Sequence, residues 1–219
     1  MSEITQYLNN DFRAIDSAET IVAVQDFFAE GHFTHFPVTE NGIYVGSISG
    51  EDADTFEDAR KLSDYRYALE GFFARTTMIW LDVLELFAVN QTNIIPVLDE
   101  NNIYVGYYEL ADVVRLFNDT PFLKEQGGVI VVEKGIADYS IGQITQIVES
   151  NNGKILGLFI SDSTSDMVQV TIKVAIGGIN EIIQTFRRYD YEIISHHQED
   201  AYLRNLQDRS DYLDRYLNI

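Results

Sequence analysis

The sequence predicts an α/β chain of the α+β kind, in which a small mixed unit is written twice and is followed by a separate βαββαβ domain. Three observations carry this. First, the stretch Phe36-Pro37-Val38-Thr39-Glu40-Asn41-Gly42-Ile43-Tyr44-Val45-Gly46 returns as Ile95-Pro96-Val97-Leu98-Asp99-Glu100-Asn101-Asn102-Ile103-Tyr104-Val105-Gly106. Each copy reads as a buried strand, a polar turn and a second apolar strand closed by glycine, which is the residue chemistry of a hairpin. Second, the Pro-Val steps lie 59 positions apart and the closing glycines 60, so the second turn carries one extra residue. Self-similarity at this period marks two supersecondary units that bury their apolar faces together. Third, beyond residue 121 the rhythm changes to long apolar strands alternating with helical stripes.

The elements follow in order. Ser2 to Asn10 forms a leading segment with Ile4, Tyr7 and Leu8 at helical spacing. Ala14 to Ser17 reads as a short strand running into a helix N-cap, with Ile21, Val24, Phe27 and Phe28 as the buried stripe and Gly31 as the stop. After the hairpin, Gly46-Ser47-Ile48-Ser49-Gly50-Glu51-Asp52 opens a second helix expected to run through Ala53, Phe56 and Ala59. Residues 62 to 75 read as a connector. Trp80, Val83, Leu84 and Phe87 then repeat the first helix, and Asp112 to Phe117 the second, until Asn118-Asp119-Thr120-Pro121 breaks it and sets a domain boundary near residue 121. Beyond it come a strand at Gly127 to Glu133, a helix bearing Ile141, Ile144, Ile147 and Val148, a strand at Ile155 to Ser161 and an alternating strand at Val168 to Val174. A helix with Ile179, Ile182, Ile183 and Phe186 and a last strand at Tyr191 to Ile194 complete the ferredoxin-like βαββαβ order. Leu203, Leu206, Leu213 and Leu217, set among charges, suit an amphipathic C-terminal helix that docks on the body or pairs with a second chain.

Composition bounds the function. With 219 residues, 46% apolar and 12% aromatic, the chain can build packed cores. No run of about eighteen apolar residues occurs and the start is acidic, so neither a membrane span nor a secretion signal is expected. Without cysteine there is no disulfide framework, and the expected location is cytoplasmic. Fifteen Lys and Arg against thirty-five Asp and Glu leave a charge of −20, a field that repels nucleic-acid phosphates and anionic lipid surfaces. No activated nucleophile, metal cluster or acid–base pair stands out, so the chain is not read as an enzyme. Adjacent His196 and His197 would face opposite sides of a strand and could not easily grip one metal.

On these residues the duplicated unit resembles the cystathionine-β-synthase (CBS) domain, which is used in pairs, and residues 127 to about 197 resemble an ACT domain. The whole is similar to CBS-pair-plus-ACT proteins of the acetoin-utilisation type. The division is then residues 1–61 and 62–121 for two CBS repeats, 122–200 for the ACT-like domain and 201–219 for the terminal helix. The resemblance implies a regulatory protein that binds an adenine nucleotide (AMP, ADP or ATP type) or S-adenosylmethionine in the cleft between repeats. A homodimer is expected because a unit of about 60 residues is marginal alone and the amphipathic tail offers further surface to bury. Its Gly-x-x-Ser/Thr-x-x-Asp motif sets a hydroxyl near phosphate and an aspartate on the ribose. Gly46, Ser49 and Asp52 match it; Gly106 and Asp112 match it too, with Glu109 in place of the hydroxyl. The expectation is therefore one nucleotide per chain. Ile15, His35, Phe36, Pro37, Ser49, Asp52 and Asp112 are the candidate binding residues. A second reading of the same turn makes Ser49 an N-cap and Asp52 its capping-box partner, and the rival function is a ligand-free scaffold for dimerisation and docking. The acidic cluster Glu51, Asp52, Asp54, Glu57 and Asp58 reads as a solvated helix start or a Mg²⁺ position. In the ACT-like part, Asp138 to Gly142 occupies the loop where amino-acid-binding members carry a glycine-centred motif, but Ser140 and Ile141 stand where Pro and Gly are usual. Structural use and ligand sensing both remain open for that domain.

Overall fold

The computed structural model describes residues 4 to 195 apart from Ile176. The expected C-terminal helix and the His196–His197 pair lie outside the described residues. The chain divides into two compact units between Asn118 and Asp119.

The first unit holds both repeats. A 3-10 helix, Ile4–Tyr7, precedes β1 (Ile15–Asp16), α1 (Ile21–Glu30), β2 (His35–Glu40), β3 (Ile43–Ser49) and α2 (Gly50–Ala53). A second 3-10 helix, Leu62–Ala68, leads to β4 (Ala74–Arg75), α3 (Trp80–Asn90), β5 (Ile94–Leu98), β6 (Tyr104–Glu109) and α4 (Leu110–Asn118). Each repeat is a three-stranded sheet, β1-β2-β3 and β4-β5-β6, with a parallel first pair and an antiparallel hairpin. Ile15 sits opposite Val38 and Ala74 opposite Val97, so the pairing repeats at the same offset as the sequence. β4 therefore lies inside the stretch read as a connector, because two residues are too few to show a period.

The hairpin turns follow their residue chemistry. Asn41 and Gly42 both take positive φ, 52° and 79°, as a two-residue primed turn requires. The longer second turn is organised by Asp99, whose carboxylate accepts the N–H of Asn101 at 2.8 Å and of Ile103 at 2.9 Å. The closing glycines are needed for close approach: a Cβ on Gly46 (φ 144°) would lie 2.8 Å from Leu69 Cβ, and one on Gly106 (φ 153°) only 2.5 Å from Asn9 O.

Two expectations are corrected. α1 starts at Ile21 with Thr20 as its N-cap, not at Ser17, because Ser17 donates its N–H to Thr39 O at 2.9 Å and the Asp16 carboxylate accepts the Ala18 N–H at 2.8 Å, which holds a turn there. α2 does not continue to Ala59; it stops after one turn, at Ala53. The Thr55 hydroxyl donates to Asp52 O at 2.7 Å and competes with the helix. Like charges at 51, 52, 54, 57 and 58 oppose its extension as well. Phe56 leaves the helical path and stacks on Tyr65 with centroids 3.9 Å apart.

The core of repeat one gathers Ile21, Val24, Phe36, Val38 and Ile48, and it includes Ile94 and Tyr107 from repeat two. Repeat two packs Val83, Phe87, Ile95, Val97 and Tyr108, together with Ile4 of the leading segment. The hydroxyls of Tyr107 and Tyr108 are buried and have no partner among the described residues. An unpaired buried hydroxyl costs desolvation energy and returns nothing. Tyr108→Phe is thus expected to leave stability unchanged or raise it by up to about 1 kcal/mol in urea unfolding. A loss larger than that would show that the hydroxyl is hydrogen-bonded after all.

The second unit begins with α5 (Pro121–Lys124), with Pro121 at its first turn, and continues through β7 (Gly127–Gly135), α6 (Ile141–Ser150), β8 (Ile155–Ser163), β9 (Met167–Ala175), α7 (Ile179–Arg188) and β10 (Glu192–Ile193). Its sheet runs β10-β7-β9-β8 with every pair antiparallel, the ferredoxin-like arrangement. β9 alternates strictly, and its buried Val168, Val170, Ile172 and Val174 face Ile144 and Val148 of α6 and Ile182 and Phe186 of α7 in one core. Ser140, in the loop singled out from the sequence, is the N-cap of α6 and accepts the Gln143 N–H at 3.3 Å.

Candidate ligand cleft

Within the first unit a cleft of about 780 Å³ opens beside the β3–α2 turn. α1 supplies Phe28 to it, the approach to β2 supplies Phe33, the first residue of β2 supplies His35, and the end of α3 supplies Val89. Ser49 closes β3 and Asp52 follows within the single turn of α2. The Ser49 Oγ accepts the Asp52 N–H at 3.0 Å, so Ser49 is the N-cap. The Asp52 carboxylate is half-buried and makes no hydrogen bond or ion pair among the described residues. It does not bond back to Ser49, so only half of a capping box forms.

His35 is fixed on two sides. Its Nδ1 lies 3.1 Å from Thr34 Oγ1 and its Nε2 lies 3.2 Å from Glu70 Oε1, with the imidazole side chain 12% exposed. Glu70 is placed by backbone bonds in both directions to Ser47, at 2.7 and 2.8 Å. Beside it the Tyr44 hydroxyl donates to Phe72 O at 2.7 Å. Burial, aided by the field of Glu70, pushes that hydroxyl up to about 12, so Tyr44 remains a neutral donor at physiological pH.

His35, Ser49 and Asp52 are thus brought together. The other candidates stand elsewhere. Ile15 and Phe36 place their side chains in the core of repeat one, at 4% and 0% exposure. Pro37 is buried on β2 opposite Ser47 and is not part of the lining. Asp112 sits on α4 with Oδ1 3.0 Å from Arg115 Nη1, away from this cleft. Glu109, the counterpart of Ser49, accepts from Asn9 Nδ2 at 3.3 Å and lies 3.9 Å from His32 Nε2. In repeat two, therefore, the residues that answer to Ser49 and Asp52 each have a partner of their own.

Glu70 escaped the sequence reading. It occupies in repeat one the place that Asn9 takes in repeat two, where Asn9 exchanges backbone bonds with Tyr107 at 2.9 and 2.8 Å. The two residue types differ and neither belongs to a repeated motif, so no sequence signal links them. Among the described residues no group of three or more His, Asp or Glu side chains is placed to hold a metal ion, so the acidic run at 51 to 58 does not converge on one point. No helix among the described residues is long and apolar enough to cross a membrane.

No protein family's sequence profile matches the chain, and no curated protein matches it. Solved structures with related coordinates include a CBS domain pair/ACT domain protein from Thermotoga maritima, 18% identical, with a TM-score of 0.48 over 52% of this chain and 95% of that one. The CBS domains of a transcriptional regulator from Streptococcus pneumoniae are 14% identical, with a TM-score of 0.46 over 52% of this chain and 97% of that one. The cytosolic domain of the Mg²⁺ channel MgtE in complex with ATP is 19% identical, with a TM-score of 0.46 over 52% of this chain and 48% of that one.

Proposed function

We propose that this chain is a regulatory ligand sensor: a CBS-type pair joined to an ACT-like domain, cytoplasmic, homodimeric and without catalytic activity of its own. The first unit binds an adenosine-containing ligand, of the adenine-nucleotide or S-adenosylmethionine class, in the cleft beside Ser49 and Asp52. The observation that carries this reading is the Asp52 carboxylate, half-buried, unpartnered among the described residues and set on the wall of a 780 Å³ cleft that also offers Phe28 and Phe33. A carboxylate in that state can accept both vicinal hydroxyls of a ribose, and aromatic walls suit a flat base. A nucleotide polyphosphate would have to bring its own Mg²⁺, since the lining carboxylates do not converge on a metal position.

Thermal unfolding against ATP, ADP, AMP, S-adenosylmethionine and a set of amino acids tests the proposal. Ligand held at about 100 times its dissociation constant adds about 2.7 kcal/mol to the native state, a rise of several degrees in midpoint. A flat response to every adenosine compound would favour the scaffold reading. One observation supports that alternative, namely that Ser49 already serves as the helix cap.

A further inference from the structure

Resting on the reading of this cleft as an adenosine-ligand site, we infer that it selects by charge: it takes nucleosides whose 5′ end is neutral or cationic and excludes those that end in free phosphate. The lining carries the carboxylates of Glu51, Asp52, Asp54 and Glu70 and the imidazole of His35, and none of the described lining residues is Lys or Arg. His35 Nε2 already faces Glu70 Oε1 at 3.2 Å. Even a fully protonated imidazole would leave Glu51, Asp52 and Asp54 uncompensated.

Phosphate sites are ordinarily built from Arg forks, Lys, or free backbone N–H groups at the start of a sustained helix. Here the Gly50 N–H is given to Thr34 O at 2.9 Å and the Asp52 N–H to Ser49 Oγ at 3.0 Å, and α2 is a single turn. The wall that a phosphate would meet is therefore acidic, with two of its amides already spoken for. A second feature points to a ligand of the other kind. Ser49 is 8% exposed and uses its Oγ as an acceptor, while its hydroxyl proton meets no acceptor among the described residues. A ligand hydroxyl or ring nitrogen can take that proton, and a sulfonium or ammonium group is favoured by the carboxylates around it. The net charge of −20 adds a long-range field of the same sign.

Titration calorimetry of the full chain at low ionic strength, with EDTA present, compares adenosine, S-adenosylmethionine and AMP. AMP is expected to bind at least about tenfold more weakly than adenosine, and S-adenosylmethionine at least as tightly as adenosine. Because Glu51, Asp54 and Glu70 are solvent-exposed, added salt should narrow the AMP gap by screening. The triple variant Glu51→Gln/Asp54→Asn/Glu70→Gln should raise the AMP-to-adenosine affinity ratio by at least about tenfold. AMP binding as tightly as adenosine in the wild-type chain, or a ratio unmoved by the triple substitution, overturns the inference. Absence of binding by all three compounds overturns the adenosine reading beneath it, which is a different result.

Discussion

Phe36→Ala is expected to lower the stability of the first unit by about 3–5 kcal/mol, the usual loss when a fully buried phenylalanine is truncated. The ring is 0% exposed, and its centroid lies 4.5 Å from Phe27, 4.9 Å from Phe33 and 5.7 Å from Tyr107. Each such aromatic pair adds about 0.5–1.5 kcal/mol beyond the area it buries. A loss of that size is a large share of the roughly 5–15 kcal/mol that hold an ordinary domain together. Urea unfolding should therefore show a lower midpoint with an unchanged slope. A change below about 1 kcal/mol accompanied by lost ligand affinity would move Phe36 out of the core role and back to the site.

Asp52→Ala should do the opposite, leaving the fold in place and weakening an adenosine ligand about ten- to a hundredfold, or roughly 1.5–3 kcal/mol for lost charge-assisted hydrogen bonds. The substitution is clean for a structural reason. The cap on α2 runs from the Asp52 backbone N–H to Ser49 Oγ, and alanine keeps that N–H. The side chain itself has no partner among the described residues to strand. Calorimetry that finds equal affinity in wild type and variant would return Asp52 to a solvated helix start, whatever the thermal data say.

The particular residues show how far the sequence reached. Hairpins, closing glycines and the stripes of α1 and α3 were legible because each rests on a local rule, whether turn chemistry or a 3.6-residue period. The βαββαβ order of the second unit was legible for the same reason, since Val168 to Val174 alternates and Ile182, Ile183 and Phe186 form a stripe. What escaped depends on partners far along the chain. β4 is a strand only because β5 lies beside it. Within the candidate site, Ser49 and Asp52 stand out from a motif and His35 from its place just before Phe36-Pro37, whereas Glu70 is placed by its pairing with Ser47, a contact no local pattern encodes. Phe36 and Ile15 are neighbours of the candidate site in sequence, yet β1 and β2 pair inside the sheet and both side chains pack in the core of repeat one. α2 is shorter than its sequence suggests: its carboxylates suit a helix start, while repulsion among them and the Thr55 hydroxyl end it early.

Ile94 and Tyr107 belong by sequence to repeat two and by packing to the core of repeat one. The exchange makes the duplicated unit indivisible, since a chain cut between the repeats would leave the first half with a hole where two large side chains belong. Opening either half on its own would expose apolar surface in both, which places their melting in one cooperative step. A molecule seated beside Ser49, with α1 on one side and the end of α3 on another, would therefore steady the whole pair at once and not just the half whose motif names it.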